Sequence, residues 1–138
     1  FDILHAGHVD YLTKARECGD VLIIGLNNDK SVREIKGEKR PIVTQEERAY
    51  ILNSLKCVDY VVLFEEPTPK ELIDKIVPDV LIKGGDWAIE NIVGRDIVEA
   101  NGGEVKNIQF VTSQSTTNII KKVLDSYNEW WEKRKNFI

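Results

Sequence analysis

The residues of this chain best placed to do chemistry are two histidines three positions apart, His5 and His8, with Ala6 and Gly7 between them. They precede a run from Val9 to Cys18 in which Val9, Leu12 and Ala15 recur at helical spacing. Two imidazoles at that separation on a helix start share one face. The free backbone N–H groups there, and the positive end of the helix dipole, already favour an anion. Gly7 carries no side chain, so a phosphate can approach its backbone closely. The chemistry this suits is the holding of a polyphosphate. On their own, the same two histidines also read as helix caps or solvent-facing residues.

Further along, Lys83-Gly84-Gly85-Asp86-Trp87 follows a short apolar run. Paired glycines there would let backbone amides reach a ligand, and Asp86 can accept from sugar or ribose hydroxyls. A tight turn with Trp87 lying over the core is the simpler alternative. Ser115-Thr116-Thr117 opens a helical run, and its hydroxyls and free N–H groups suit phosphate oxygens, although serine and threonine are also ordinary caps. Lys36 and Arg40, with Lys39 a weaker candidate, lie in a polar, glycine-interrupted loop before Pro41. Alone they read as a solvated charged loop.

The elements that must position these residues alternate in type. Val21 to Leu26 is an apolar run of strand length, followed by Asn27-Asn28-Asp29 as capping residues for a helix from Lys30 to Ile35. Thr44 and Glu47 have capping-box spacing ahead of the helical face Ala49, Leu52 and Leu55. Tyr60–Phe64 reads as a strand, Lys70–Val77 as a helix opened by Pro69, and Val80–Ile82 as a buried strand. Glu90 to Asn101 is expected to be helical and to stop at Gly102-Gly103, followed by a strand from Val105 to Val111 and a helix from Thr116 to the end. The pattern predicts a single α/β domain, Rossmann-like, with a doubly wound parallel sheet. The chain opens on Phe1-Asp2 without an initiator methionine, so a first strand is expected upstream of Phe1. Ligands in such sheets bind beyond the carboxyl ends of the strands, where the His5, Lys83 and Ser115 segments should converge.

A length of 138 residues suits one domain with a sizeable core. Residues 1–124 are expected to form a catalytic core and 125–138 a helical tail. The formal net charge of −4 argues against a general nucleic-acid binder, yet leaves room for a local positive pocket. Cys18 and Cys57 are too few for a disulfide framework and read as reduced thiols of a cytoplasmic protein. No long apolar span or signal peptide is visible, so a membrane is not an expected partner. In the tail, the neighbouring indoles Trp130 and Trp131 would point about 100° apart on a helix. Burial of both therefore calls for a homodimer interface, with packing of one ring on the domain as the alternative.

Phe1-Asp2-Ile3-Leu4-His5-Ala6-Gly7-His8 resembles the signature of the HxGH nucleotidyltransferases, the cytidylyltransferase-like superfamily. The stretches Lys36-Gly37 to Arg40-Pro41, Lys83 to Trp87 and Ser115 to Ile120 resemble the same family in the same order. With Asn101-Gly102-Gly103-Glu104-Val105, the combination is most similar to the heptose 1-phosphate adenylyltransferase, or ADP-heptose synthase, domain. That resemblance implies transfer of AMP from ATP, with Mg²⁺, to a sugar 1-phosphate, releasing pyrophosphate. It implies catalytic roles for His5, His8 and Lys36. Phe1, Asp2, Gly7, Arg40, Ser115, Thr116 and Thr117 would bind the nucleotide, the Lys36–Arg40 loop closing over its phosphates. Lys83, Gly84, Gly85, Asp86 and Trp87 would bind the acceptor. Asp2 would orient an imidazole or hold the metal, if it is not simply a turn residue. Members of the family occur alone or joined to a sugar kinase. Two other readings stay open: CMP transfer, as in glycerol-3-phosphate cytidylyltransferase, and a non-catalytic nucleotide sensor. The cytidylyltransferase pattern has an arginine where this chain has Phe110, which favours ATP.

Overall fold

The computed structural model describes residues 1–85, 87–110 and 113–135. Helix α1, Ala6–Arg16, starts earlier than the apolar spacing alone predicts because His5 caps it through a ring nitrogen. Strand β1, Ile23–Asn27, follows. Asn28 caps α2, Asp29–Lys36, by accepting from the Ser31 amide at 2.9 Å. Thr44 caps α3, Gln45–Asn53, by accepting from the Glu47 amide at 3.3 Å. The expected capping box is half formed, since the Glu47 carboxylate takes the Thr44 hydroxyl rather than reaching back to the main chain. Strand β2, Tyr60–Phe64, and helix α4, Lys70–Ile76 behind Pro69, lie where the sequence puts them. Strand β3 is Val80–Gly84, α5 is Arg95–Ala100, β4 is Glu104–Ile108 and α6 is Thr116–Lys135.

One expected element breaks. Residues 90–101 do not form a single helix, because Ile89–Asn91 is one 3-10 turn and the chain reverses at Gly94 with φ +87° before α5 begins. The cause lies in another element: a Cβ on Gly94 would stand 2.6 Å from Cδ1 of Ile73 in α4, so the backbone turns aside to let that side chain in. Strand β4 also ends at Ile108, short of the expected boundary, and Val111 lies outside the described residues.

All strand pairing is parallel, as expected. It runs in two pairs rather than one continuous ladder: β1 on β2, from Ile23 opposite Tyr60 to Asn27 opposite Phe64, and β3 on β4, from Val80 opposite Glu104 to Gly84 opposite Ile108. The pairs share a core. Ile82 and Ile108 pack against the cluster of Tyr11, Leu12, Ile24, Leu26, Leu52 and Val58. A second cluster, Ile73, Ile92, Val98 and Val105, fills the far side of β3 and β4.

Helix α6 is exposed from Lys121 onward. Trp130 and Trp131 are 45% and 55% exposed, so the expected burial of the indoles is not met within one copy of the chain. Their rings lie 6.4 Å apart and the Arg134 guanidinium covers Trp130. Among the described residues no helix is long and apolar enough to cross a membrane, and Cys18 and Cys57 are free.

Candidate active site

The histidine pair is organised by main-chain amides. The Gly7 N–H donates to His5 Nδ1 at 3.1 Å, and the His5 N–H donates to His8 Nδ1 at 3.4 Å. A ring nitrogen that accepts carries no proton, so each neutral imidazole keeps its proton on Nε2. The rings stack with centroids 3.8 Å apart, presenting two N–H donors from one place. Burial above all, then the positive charge of the Phe1 amino group and the neighbouring His5 ring, push the His8 pKa down from 6.5 to about 4. Burial lowers that of His5 as well. The pair is therefore neutral at physiological pH and donates without carrying charge. Phe1 forms the wall behind it, its ring 5.0 Å from His8 and 6.5 Å from Tyr11.

This pKa has a consequence for stability. The folded pKa of His8 lies below the unfolded one, so the unfolded chain takes up more protons as pH falls through 6.5. The His8 contribution is complete above pH 6.5 and is lost progressively down to about pH 4. Melting curves between pH 7.5 and 4.5 should show a steeper fall in Tm for the native chain than for His8→Gln, and parallel curves would contradict the neutral pair.

Two other segments meet residues 1–8, and a third meets α1 at Tyr11. The Thr116 hydroxyl bridges both main-chain groups of Ile3, accepting from its N–H at 3.3 Å and donating to its carbonyl at 3.2 Å. This fixes the N-terminus of α6 beside the histidines. There Ser115 accepts from the Asn118 amide at 3.0 Å, and Thr117 is exposed. The second segment is the basic loop. Arg40 reaches Asp2, its Nε 2.7 Å from Oδ2, while Lys36 and Lys39 are exposed on the outside. Burial pushes the Asp2 carboxyl up, but the Ile42 and Val43 amides and Arg40 outweigh it and hold the pKa below its ordinary value. Third is the end of β3. A Cβ on Gly84 would lie 2.9 Å from Phe110 Cζ and 3.1 Å from the Tyr11 ring, so glycine is what lets this strand end approach α1. Gly85 follows, and Lys83 Nζ sits 5.3 Å from the centre of the exposed Trp87 ring. Asp86 lies outside the described residues.

Sequence reasoning missed three residues. Tyr11 stands between the histidines and the β3 end, its hydroxyl pKa pushed up by burial to about 12. Arg48 is 3% exposed and joins Asp29 to the Val43 carbonyl. Asn107 ties down the Lys83 loop by donating to the Trp87 carbonyl at 2.6 Å, and its buried Oδ1 has no partner among the described residues. A polar residue inside a strand was the available signal for Asn107. A separate open depression of about 470 Å³ is lined by Asn28, Gln45, Glu65, Glu66, Leu72 and Lys75, among others, and holds none of the residues named above as site candidates.

The concentration of anion-directed groups around residues 1–8, on a parallel α/β frame, places this chain among the nucleotidyltransferases. It belongs to the cytidylyltransferase-like family, which it matches over residues 1–130. It is 59% identical over 127 residues to the bifunctional protein HldE of Citrifermentans bemidjiense, an alignment covering 92% of this chain and 26% of that protein. The HldE of Wolinella succinogenes is 57% identical over 126 residues, covering 91% and 26%. The chain thus spans about a quarter of the length of these relatives. In structure it is similar to the lipopolysaccharide core biosynthesis protein of Thermoplasma volcanium, with a TM-score of 0.66 and 27% identity over 83% of this chain and 92% of that one.

Proposed function

We propose that this domain transfers AMP from ATP to heptose 1-phosphate, forming ADP-heptose and pyrophosphate for a cell-envelope glycan. The observation that carries nucleotidyl transfer is the stacked pair of neutral imidazoles with both Nδ1 atoms satisfied by main-chain amides. Identity to the HldE proteins across nine-tenths of the chain supports the heptose acceptor, together with the Lys83–Trp87 and Asn101–Val105 sequences.

In this reaction an oxygen of the sugar phosphate attacks the α-phosphorus, the bond to the β-phosphate bridging oxygen breaks, and pyrophosphate departs with that electron pair. The attacking phosphate is already anionic at pH 7, so no general base is needed. What is needed is hydrogen-bond donors where negative charge grows. The Nε2–H groups of His5 and His8 supply them at the α-phosphate, and Arg40 adds its η-nitrogens. The free amides at Ser115–Thr117 receive the outer phosphates. Lys36, exposed at the end of α2, is assigned to the triphosphate. Lys83, Gly84, Gly85, Asp86 and Trp87 are assigned to acceptor binding. Mg²⁺ enters with the nucleotide as MgATP. Among the described residues no group of three or more acidic, histidine or cysteine side chains is gathered to cage an ion, and both Asp2 oxygens are engaged. Because the long relatives are bifunctional, we place this domain beside a second activity, a sugar kinase that supplies its acceptor.

Pyrophosphate release from a panel of nucleoside triphosphates and sugar phosphates tests the reading. ATP with heptose 1-phosphate should exceed CTP with the same acceptor by roughly tenfold or more in kcat/KM. Faster turnover of CTP with glycerol 3-phosphate would move the domain to the cytidylyl reading. Binding of nucleotide without any release would make it a sensor.

A further inference from the structure

Asp2 makes more hydrogen bonds than any other side chain near the histidines, and all of them go to one loop. Its Oδ2 accepts from Arg40 Nε at 2.7 Å. The Ile42 N–H lies 2.9 Å from both carboxylate oxygens, and the Val43 N–H lies 2.9 Å from Oδ1. Asp2 is 8% exposed, so these bonds are shielded from water and there is little room for another ligand. The same stretch is gripped from its other side. Arg48 Nε donates to the Val43 carbonyl at 3.0 Å, and its Nη2 donates to Asp29 Oδ1 at 2.8 Å. Val43 therefore has its N–H held by the histidine segment and its C=O held by α3, and α3 in turn holds the start of α2.

We propose that Asp2 is a positioning residue that latches the basic loop of residues 37–43 onto the histidine segment and aims Arg40 at the nucleotide phosphates. The inference rests on the nucleotidyl-transfer reading and deepens it. A carboxylate three residues from His5 would repel a polyphosphate ligand if left bare. Here its charge is matched by a guanidinium and by two amide dipoles. Arg40 spends Nε on Asp2, and neither η-nitrogen has a partner among the described residues. A guanidinium held at Nε in this way has its two-pronged edge pre-oriented, and that edge is the one that matches phosphate oxygens. Without the latch, the loop would have to be ordered each time a nucleotide binds, and the cost would fall on affinity rather than on the chemical step. This assigns Asp2 a role distinct from orienting an imidazole or ligating a metal.

The experiment uses the full chain and its Asp2→Asn, Arg40→Gln and doubly substituted forms. In the native chain, amide hydrogen exchange over residues 41–44 should be slow, and Asp2→Asn should speed it at least roughly tenfold while leaving the core strands unchanged. That readout needs no turnover. In pyrophosphate release, Asp2→Asn should raise KM for MgATP by roughly tenfold or more, keep kcat within about threefold, and leave the Mg²⁺ activation midpoint in place. The double variant should be no worse than the weaker-binding single one, because both disable one device. Four results would overturn the latch: unchanged exchange, losses that multiply in the double variant, a collapse of kcat at constant KM, or an activation midpoint that moves to higher Mg²⁺. If Asp2→Asn does not fold, Arg40→Gln must still raise KM, and an unaltered KM there counts against the proposal. A native chain that releases pyrophosphate from no substrate pair refutes the reaction, while the exchange result still decides the latch.

Discussion

Replacing His8 with alanine is expected to lower kcat roughly 100- to 1,000-fold, the usual cost of removing one preorganised donor from a developing negative charge. The KM for ATP should move by no more than about threefold, since the lost bond matters most in the transition state. His8 is a cleaner probe than His5. His5 also caps α1 through Nδ1, so its loss would cost about 1 kcal/mol of stability besides any catalytic effect. His8 accepts one long bond, from the His5 amide at 3.4 Å, and the variant should remain folded. Steady-state pyrophosphate release, with a melting curve as control, gives the answer. A folded His8→Ala protein that turns over at the native rate would remove the histidine pair from the mechanism.

The largest effect on stability should come from Gly94→Ala. The φ of +87° there costs a residue with a side chain about 1 kcal/mol. Its Cβ would also lie 2.6 Å from Ile73 Cδ1 and 2.9 Å from Ile73 Cγ2, overpacking that costs about 1–3 kcal/mol more. Together these give about 2–4 kcal/mol, a fall in Tm of roughly 10 °C for a domain of this size. Adding Ile73→Val should recover part of the overpacking and none of the backbone strain. Thermal melts of the single and double variants test this, and an unchanged Tm for Gly94→Ala would contradict the described turn.

Gly94 also marks where sequence reasoning stops. The caps at Asn28 and Thr44 were legible because a side chain and the amide it serves lie three residues apart, so the pattern is local. The four strands among the described residues and their parallel pairing were legible for the same kind of reason, as short apolar runs separated by helical ones. The helix break at Gly94 depends on Ile73, which belongs to a different helix, and no periodicity within residues 90–101 carries that information. The site divides in the same way. The spacing of His5 and His8 announced a phosphate-directed helix start, but not that main-chain amides would fix both rings in one tautomer. Asp2 was visible as a candidate, yet its partners Arg40, Ile42 and Val43 are contributed from some 40 residues away. Arg48 was invisible and Asn107 was marked only as a polar residue in a strand, because each acquires its role from what the tertiary fold sets beside it. Trp130 and Trp131 show the converse. Their apolar character predicted burial at a second subunit or on the domain, and among the described residues of one copy both rings stay about half exposed.

The bridge between Thr116 and Ile3 closes a loop spanning 113 residues. Closing so long a loop carries an entropic cost that must be met before the contact returns anything, and contacts of such high order form late in folding. The two helix starts that would share a triphosphate are thus brought together only when residues 3 and 116 meet in the folded domain. A half-folded domain carries the histidine segment without its counterpart at α6, and under the proposed function it would lack the site for the outer phosphates. Under the proposed function, activity in this domain would report on completion of the fold itself.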